Sequence, residues 1–357
     1  MTRIPITGIG VVAPGALGVS AFRALLAEGR SAVAEIDRFD TAGLSAHTAA
    51  LVRDFRPKDF IAPMKMRRMN GLSRLAMAAA KMAIDDCGAA PGTNTGVAIG
   101  TAFGPVQTSV EYMQEYVEKG AALAPPQLFA ESVANAPGSH IAIELGLRGF
   151  NVTITQRESS ALAAAMYASS QLAKGTVDAA LIGGVEEANE MLFSVLDRVG
   201  ALDDAQRDGI VIGEGAAVLV AGAGTRAPYG WLSGFGIARD TTATISDWGT
   251  GHESVAAAMQ AAIDDAGVTI DSIDAIYASA NGSRRGDALE VRAIEALFGA
   301  REPNVVATKG VFGEYAAGGA LQLVAALLGV EHHRHVLVNS LSAGGGIVCA
   351  VISRDAE

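Results

Sequence analysis

The chemistry open to this chain is concentrated in two carboxylates and a lysine set among small residues. Glu158 stands where Thr155-Gln156-Arg157 turns into the run Ser159-Ser160-Ala161-Leu162-Ala163-Ala164-Ala165, and Glu314 follows Lys309 by five positions. A carboxylate at the start of a buried helix is tolerated because the positive helix end and its unpaired N–H groups hold an anion. Desolvated, it acquires a raised pKa suited to proton transfer. If Lys309 and Glu314 lie beside Glu158, the lysine compensates buried charge, and if both carboxylates face one pocket they titrate as a coupled pair. The remaining reactive side chains read as bland. Cys87 closes a helix and Cys349 sits in an apolar strand, both as inert packing. His47, His140 and His252 lie outside these segments, and His332, His333 and His335 read as a polar turn before the last strands.

The elements that must position these groups follow from periodicity. Ser160 to Lys174 and Ala316 to Leu328 read as helices, Ala179 to Ile182 and Val336 to Val338 as strands, with Gly175 and Gly329 marking helix ends. The plan occurs twice. Ile6-Thr7-Gly8-Ile9-Gly10 matches Leu232-Ser233-Gly234-Phe235-Gly236, and Met82-Ala83-Ile84-Asp85-Asp86-Cys87-Gly88 matches Ala261-Ala262-Ile263-Asp264-Asp265-Ala266-Gly267. Each helix then leads into a strand, Gly96 to Gly100 or Ala275 to Ala278. The chain reads as a duplication with halves 1–225 and 226–357 joined in one body. Strand, helix, strand with Gly-rich connections is α/β architecture.

Composition agrees. Of 357 residues 50% are hydrophobic, 42 are Gly and only 5% are aromatic, which suits Val/Ile/Ala strands pressed closely against Ala-rich helices. The net charge of −11 argues against nucleic acid or an anionic membrane as the main partner. Local basic patches at Lys65, Arg67 and Arg68, or at Arg284 and Arg285, remain candidates for docking an acidic protein. Two widely separated cysteines form neither a disulfide framework nor a metal clip, so a reducing cytoplasm is expected and no metal or cofactor. No apolar run reaches about 18 residues, so no membrane span is expected.

Five stretches resemble motifs of the β-ketoacyl synthase family. The Glu158 turn resembles Thr-Ala-Cys-Ser-Ser-Gly, with Glu158 in the place of the cysteine nucleophile. Asp208-Gly209-Ile210-Val211-Ile212-Gly213-Glu214-Gly215-Ala216 matches Asp-Gly-Phe-Val-x-Gly-Glu-Gly-Ala. The run from Ser279 to Glu290 falls on His-Gly-Thr-Gly-Thr-x-x-x-Asp-x-x-Glu, that from Thr308 to Gly318 on Thr-Lys-x-x-x-Gly-His-x-x-Ala-Ala-Gly, and that from Asn339 to Gly345 on Asn-Ser-Phe-Gly-Phe-Gly-Gly. The resemblance spans almost the whole chain. It implies a thiolase-like, duplicated αβαβα layered sandwich, a dimer, and a connection from Glu187 to Asp208 shorter than in typical members.

In the family, a thiolate carries the acyl chain and two neutral histidines stabilise the charge that develops on decarboxylation. The matching positions here carry Glu158, Ser279 and Glu314; Lys309 is retained. An acylated carboxylate is a mixed anhydride prone to hydrolysis, and an anionic Glu314 repels an enolate. The resemblance therefore implies a chain-length factor, as in type II polyketide and aryl polyene systems. Such a subunit has no catalytic residues of its own, pairs with an active ketosynthase, and shapes an acyl tunnel served by acyl carrier protein. The helix after Gly100-Thr101 places Val106, Ser109, Val110, Met113 and Tyr116 on one face. Val106, Ser109, Met113 and Tyr116 are then the expected tunnel or interface residues, with Met113 the plug. Two rivals stand beside this reading. One is a stand-alone enzyme using Glu158, such as a malonyl-carrier-protein decarboxylase or thioester hydrolase. The other is a homodimeric scaffold without acyl ligand.

Overall fold

Ten strands carry the architecture: β1 Ile4–Ala13, β2 Thr95–Gly100, β3 Asn151–Ile154, β4 Ala179–Glu186, β5 Gly215–Ala221, β6 Gly230–Arg239, β7 Ala275–Tyr277, β8 Asn304–Val306, β9 His335–Leu341 and β10 Gly346–Ser353. The computed structural model describes residues 2–203, 209–245, 247–301 and 303–356, so Asp208 of the Asp-Gly segment lies outside the described residues. The strand order is β8-β7-β9-β10-β6-β1-β5-β4-β2-β3. Read outwards from its centre, each half has the same sequence of relations. β2 is parallel to β3 and β4 while β5 is antiparallel to β4 and β1; β7 is parallel to β8 and β9 while β10 is antiparallel to β9 and β6. The duplication expected from the repeated segments is thus present strand by strand.

Seven helices position the site: α1 Gly71–Cys87, α2 Val106–Lys119, α3 Ser160–Ala173, α4 Glu190–Arg198, α5 His252–Ala266, α6 Arg284–Phe298 and α7 Ala320–Gly329. Parallel strands of one sheet require a crossover, and α3, α6 and α7 lie in such connections. α3 and α7 are buried together in the central core between the two half-sheets. α1 covers the outer face of the first half, and α5 with α6 the outer face of the second. Helix, sheet, helix, sheet, helix is the thiolase-like layering.

The repeated glycines and aspartates have one physical explanation. A Cβ on Gly10 would sit 1.9 Å from the Ala79 carbonyl oxygen of α1, and one on Gly236 would sit 2.0 Å from that of Ala258 in α5. Backbone meets backbone there, so each helix lies directly on its strand. β1 and β6 pair only through Ile4–Ile6 and Gly230–Leu232. Beyond that contact, the Ile9 N–H donates to Asp86 Oδ2 at 2.8 Å and the Phe235 N–H to Asp265 Oδ2 at 2.9 Å. The second aspartate of each Ile-Asp-Asp repeat supplies a buried strand N–H with the acceptor that a neighbouring strand does not.

Two local expectations are corrected. The helix expected from Ala316 begins at Ala320, because Tyr315, Ala317, Gly318 and Gly319 all have positive φ. Gly329 closes α7 as expected, with φ −78°, and a Cβ there would come 1.7 Å from the Tyr277 hydroxyl. His335 is not in the turn with His332 and His333; it is the buried first residue of β9, bonded through Nδ1 to Ser353 Oγ at 2.9 Å. The described part of the Glu187–Asp208 connection contains α4.

Gly236→Ala is expected to destabilise the protein by about 3 kcal/mol, since overpacking against an immovable backbone forces helix and strand apart. Chemical denaturation measures this, and a loss under about 0.5 kcal/mol, the range of an ordinary surface change, is inconsistent with the packing described.

Candidate functional site

β3 ends at Ile154, and Arg157–Ser159 form one tight turn before α3 begins at Ser160. Arg157 is held at φ 51°, a left-handed conformation that costs a residue with a side chain about 1 kcal/mol or more. What holds it is a lattice of serines from the end of β9. Ser159 Oγ donates to the Ser340 carbonyl at 3.0 Å, Ser340 Oγ to the Glu158 carbonyl at 3.1 Å, and Ser342 Oγ to the Gln156 carbonyl at 3.0 Å. The Arg157 guanidinium donates to the carbonyls of Ile245 and Ala343. The Asn339–Gly345 segment noted in the sequence is therefore the clamp on the Glu158 turn.

Glu158 is 1% exposed. Its Oε1 accepts from the Tyr315 hydroxyl at 3.0 Å, its Oε2 has no hydrogen-bond partner, and the Arg157 Nε is 4.0 Å away. The expected role for the α3 helix end is not what the geometry gives: the donor to the carboxyl is a phenol, not an N–H of α3. Burial pushes the Glu158 pKa up to about 7, the Glu314 charge adds to the rise, and Arg157 opposes it.

Glu314 lies on the other side of Tyr315. It pairs with Lys309 Nζ at 2.7 Å, accepts from Asn281 Nδ2 at 2.7 Å, and accepts the Tyr315 N–H at 2.8 Å. Lys309 thus serves Glu314; Glu158 is left to Tyr315. The Glu314 charge helps to raise the Glu158 pKa, and Tyr315 stands between the two carboxylates, its N–H on one and its hydroxyl on the other. Tyr315 was missed in the sequence, although an aromatic hydroxyl beside Glu314 in a Gly/Ala loop was its signal. Its φ of 64° aims the ring at Phe103, centroids 4.8 Å apart. The Phe103 loop is in turn fixed by Glu186, which accepts from the N–H groups of Ala102 and Phe103 and from Thr101 Oγ1. Burial raises the Glu186 pKa to about 8.

Ser279 does not join this contact. Its Oγ accepts the Leu341 N–H at 3.0 Å, and its own N–H goes to Glu290 Oε1 at 3.0 Å. Its hydroxyl is committed to the backbone of β9. Glu290, lifted to about 7 by burial, also accepts from Asn339 Nδ2.

A cavity of about 200 Å³ opens beside Glu158, lined by Arg157, Tyr315, Leu196, Ile210, Trp248 and Arg285 among others. Cys87 and Cys349 do not reach it, and burial drives the Cys349 thiol well up. The histidines are engaged elsewhere, His47 with Thr41, His140 with Glu131 and His335 with Ser353. The arrangement can exchange a proton near neutrality and presents no thiolate.

A second, larger feature lies on α2. Val106, Ser109, Val110, Met113 and Val117, with Met191 of α4, line an apolar groove of about 560 Å³, and Met113 is 52% exposed. Tyr116 does not line it; its ring lies against Tyr112. At 3.6 residues per turn Val117 stands over Val106 while Tyr116 falls about 80° round the helix. α4 links the two features, with Met191 in the groove and Leu196 in the Glu158 cavity. Of the basic patches, Lys65 pairs with Glu144 and Arg285 with Asp247, whereas Arg67 and Arg68 are exposed.

The duplicated layers and the clamped turn define a thiolase-like ketosynthase body. Residues 1–223 match the β-ketoacyl synthase N-terminal domain and residues 229–341 its C-terminal domain. The 3-oxoacyl-acyl-carrier-protein synthase 2 of Vibrio cholerae is 30% identical over 324 residues, 83% of this chain and 77% of that one. The tetracenomycin polyketide synthase ketoacyl synthase alpha subunit of Streptomyces glaucescens is 29% identical, covering 92% of this chain and 85% of its own. The solved ishigamide ketosynthase/chain length factor superposes with a TM-score of 0.88 at 27% identity, over 99% of both chains. This chain belongs to the β-ketoacyl synthase family. No helix among the described residues is long and apolar enough to cross a membrane.

Two outcomes follow from the buried carboxyl. Because its folded pKa of about 7 exceeds the ordinary 4.5, Glu158 favours folding fully below pH 4.5 and loses that contribution as the pH rises to 7; Glu187, Glu186 and Glu290 shift the same way. Stability is expected to fall between about pH 5 and 8, and Glu158→Gln to flatten the slope, read by urea unfolding at each pH. An unchanged slope contradicts the burial. Tyr315→Phe removes the donor to the carboxylate and is expected to raise the Glu158 pKa further, visible as a shifted carboxyl band in an infrared titration.

Proposed function

We propose that this chain is a catalytically deficient ketosynthase-like subunit, a chain-length factor. On this reading it pairs with an active β-ketoacyl synthase, and the groove on α2 forms part of the tunnel that holds the growing acyl chain. The observation that carries the proposal is Glu158: a desolvated carboxyl hydrogen-bonded to Tyr315 at the position of the family's nucleophile, with no thiol nearby. It neither carries an acyl group durably nor offers the electrophilic donors that a developing enolate needs. The partner brings the cysteine, and acyl carrier protein delivers the chain to it; exposed Arg67 and Arg68 suit an acidic carrier. The open apolar face containing Val106, Ser109 and Met113 supports the pairing, since an isolated subunit gains nothing from exposing a flexible methionine there. Whether the product is a polyketide, an aryl polyene or a modified fatty acid depends on the partner.

A second reading is favoured by one observation, the Glu158 pKa of about 7, which suits a general acid or base. It makes the chain a decarboxylase or thioester hydrolase in its own right.

The two separate experimentally. With the active partner present, Met113→Ala is expected to lengthen products and Met113→Trp to shorten them, by mass spectrometry of released chains; an unaltered distribution from both removes the gate. Alone, the chain is expected to release no carbon dioxide from malonyl-acyl carrier protein. Release that drops by ~10²-fold or more in Glu158→Ala is the result of a working base and favours the second reading.

A further inference from the structure

A further cavity among the described residues belongs to neither feature above. It measures about 590 Å³ and lies between the helix Val19–Glu28, the end of β8 and α7, and it shares no lining residue with the Glu158 cavity or the α2 groove. Its walls are apolar, built from Leu26, Val306, Val311 and Leu328. That size falls within the range of small-molecule sites.

Two polar side chains line it without a protein partner. Thr308 is 5% exposed, and its buried Oγ1 makes no hydrogen bond. Tyr277 is 7% exposed, and its hydroxyl, pressed against Gly329, has no hydrogen-bond partner among the described residues. A fully buried hydroxyl without a partner, as at Thr308, loses the hydrogen bond it had in water, so such groups normally have one; the Tyr277 hydroxyl is unbonded but not fully buried. Gly329 is the residue that makes room for this hydroxyl, because a Cβ there would overlap it.

The charges at the rim define the ligand further. Arg23 and His332 share the Glu331 carboxylate at the rim, so an incoming anion competes with Glu331 for them. The helix Val19–Glu28 and α7 both end at the cavity, and helix C-termini carry partial negative charge. A carboxylate or phosphate meets that competition, whereas a neutral acceptor finds two hydroxyl donors.

We propose that this cavity is a second ligand site, selective for a neutral amphiphile whose alkyl or aryl body lies against Leu26, Val311 and Leu328 and whose amide or ester carbonyl accepts from the hydroxyls of Tyr277 and Thr308. The site is independent of the acyl groove and stands or falls without the chain-length reading.

Octanamide and octanoate, titrated separately into the intact protein and followed by ligand-observed NMR, test it. Octanamide is expected to bind saturably, and octanoate at least tenfold more weakly. Tyr277→Phe removes no hydrogen bond within the protein, so the fold is retained, and it is expected to weaken octanamide about fivefold, the effect of one neutral hydrogen bond. Ala27→Trp, at an exposed rim position, is expected to fill the cavity and abolish binding. No saturable octanamide binding, equal affinity for octanoate, or wild-type affinity in both variants overturns the proposal.

Discussion

The single hydrogen bond from the Tyr315 hydroxyl to Glu158 organises the centre of this molecule. A carboxyl stripped of water is tolerated only with a donor or a proton, and here both act together: the phenol supplies one oxygen, and the raised pKa makes protonation accessible near neutrality. The same tyrosine gives its N–H to Glu314, packs its ring on Phe103, and sits in a loop of positive φ values that α7 would otherwise straighten. The contact joins two segments with positive φ, the Arg157 turn and the Tyr315 loop.

That contact also separates two charge regimes. Glu314 is a conventional buried ion, matched by Lys309 and Asn281. Glu158 is not matched, and its nearest cation is 4.0 Å away on a partly exposed side chain. The turn keeps its backbone shape because the serine clamp from β9 holds carbonyls and is indifferent to the side chain at position 158.

The layered body is built on close backbone contact. α1 and α5 lie directly on glycine-bearing strands, and α3 and α7 fill the space between half-sheets with alanine and leucine. Close packing of small residues fixes the backbone to within a narrow range, so side chains at the turn change while the turn does not. The α2 groove is the exception, an apolar face left open on one side.

Much was legible in the sequence because it is written locally. The duplication appeared in Ile-Asp-Asp and Gly-x-Gly repeats, since a glycine needed for helix contact and an aspartate needed for a strand N–H must recur wherever the contact recurs. The family appeared in five ordered motifs, and Glu158 and Glu314 in the places of working groups. The partners of those groups were not legible. Lys309 chose Glu314 over Glu158, Ser279 turned to the Leu341 backbone, Val117 displaced Tyr116 from the groove, and Tyr315 became the donor that no spacing announced. Residue types and repeats determine which chemistry a chain owns. Which donor meets which acceptor depends on loops hundreds of positions apart meeting across packed layers, and only the tertiary structure decides that.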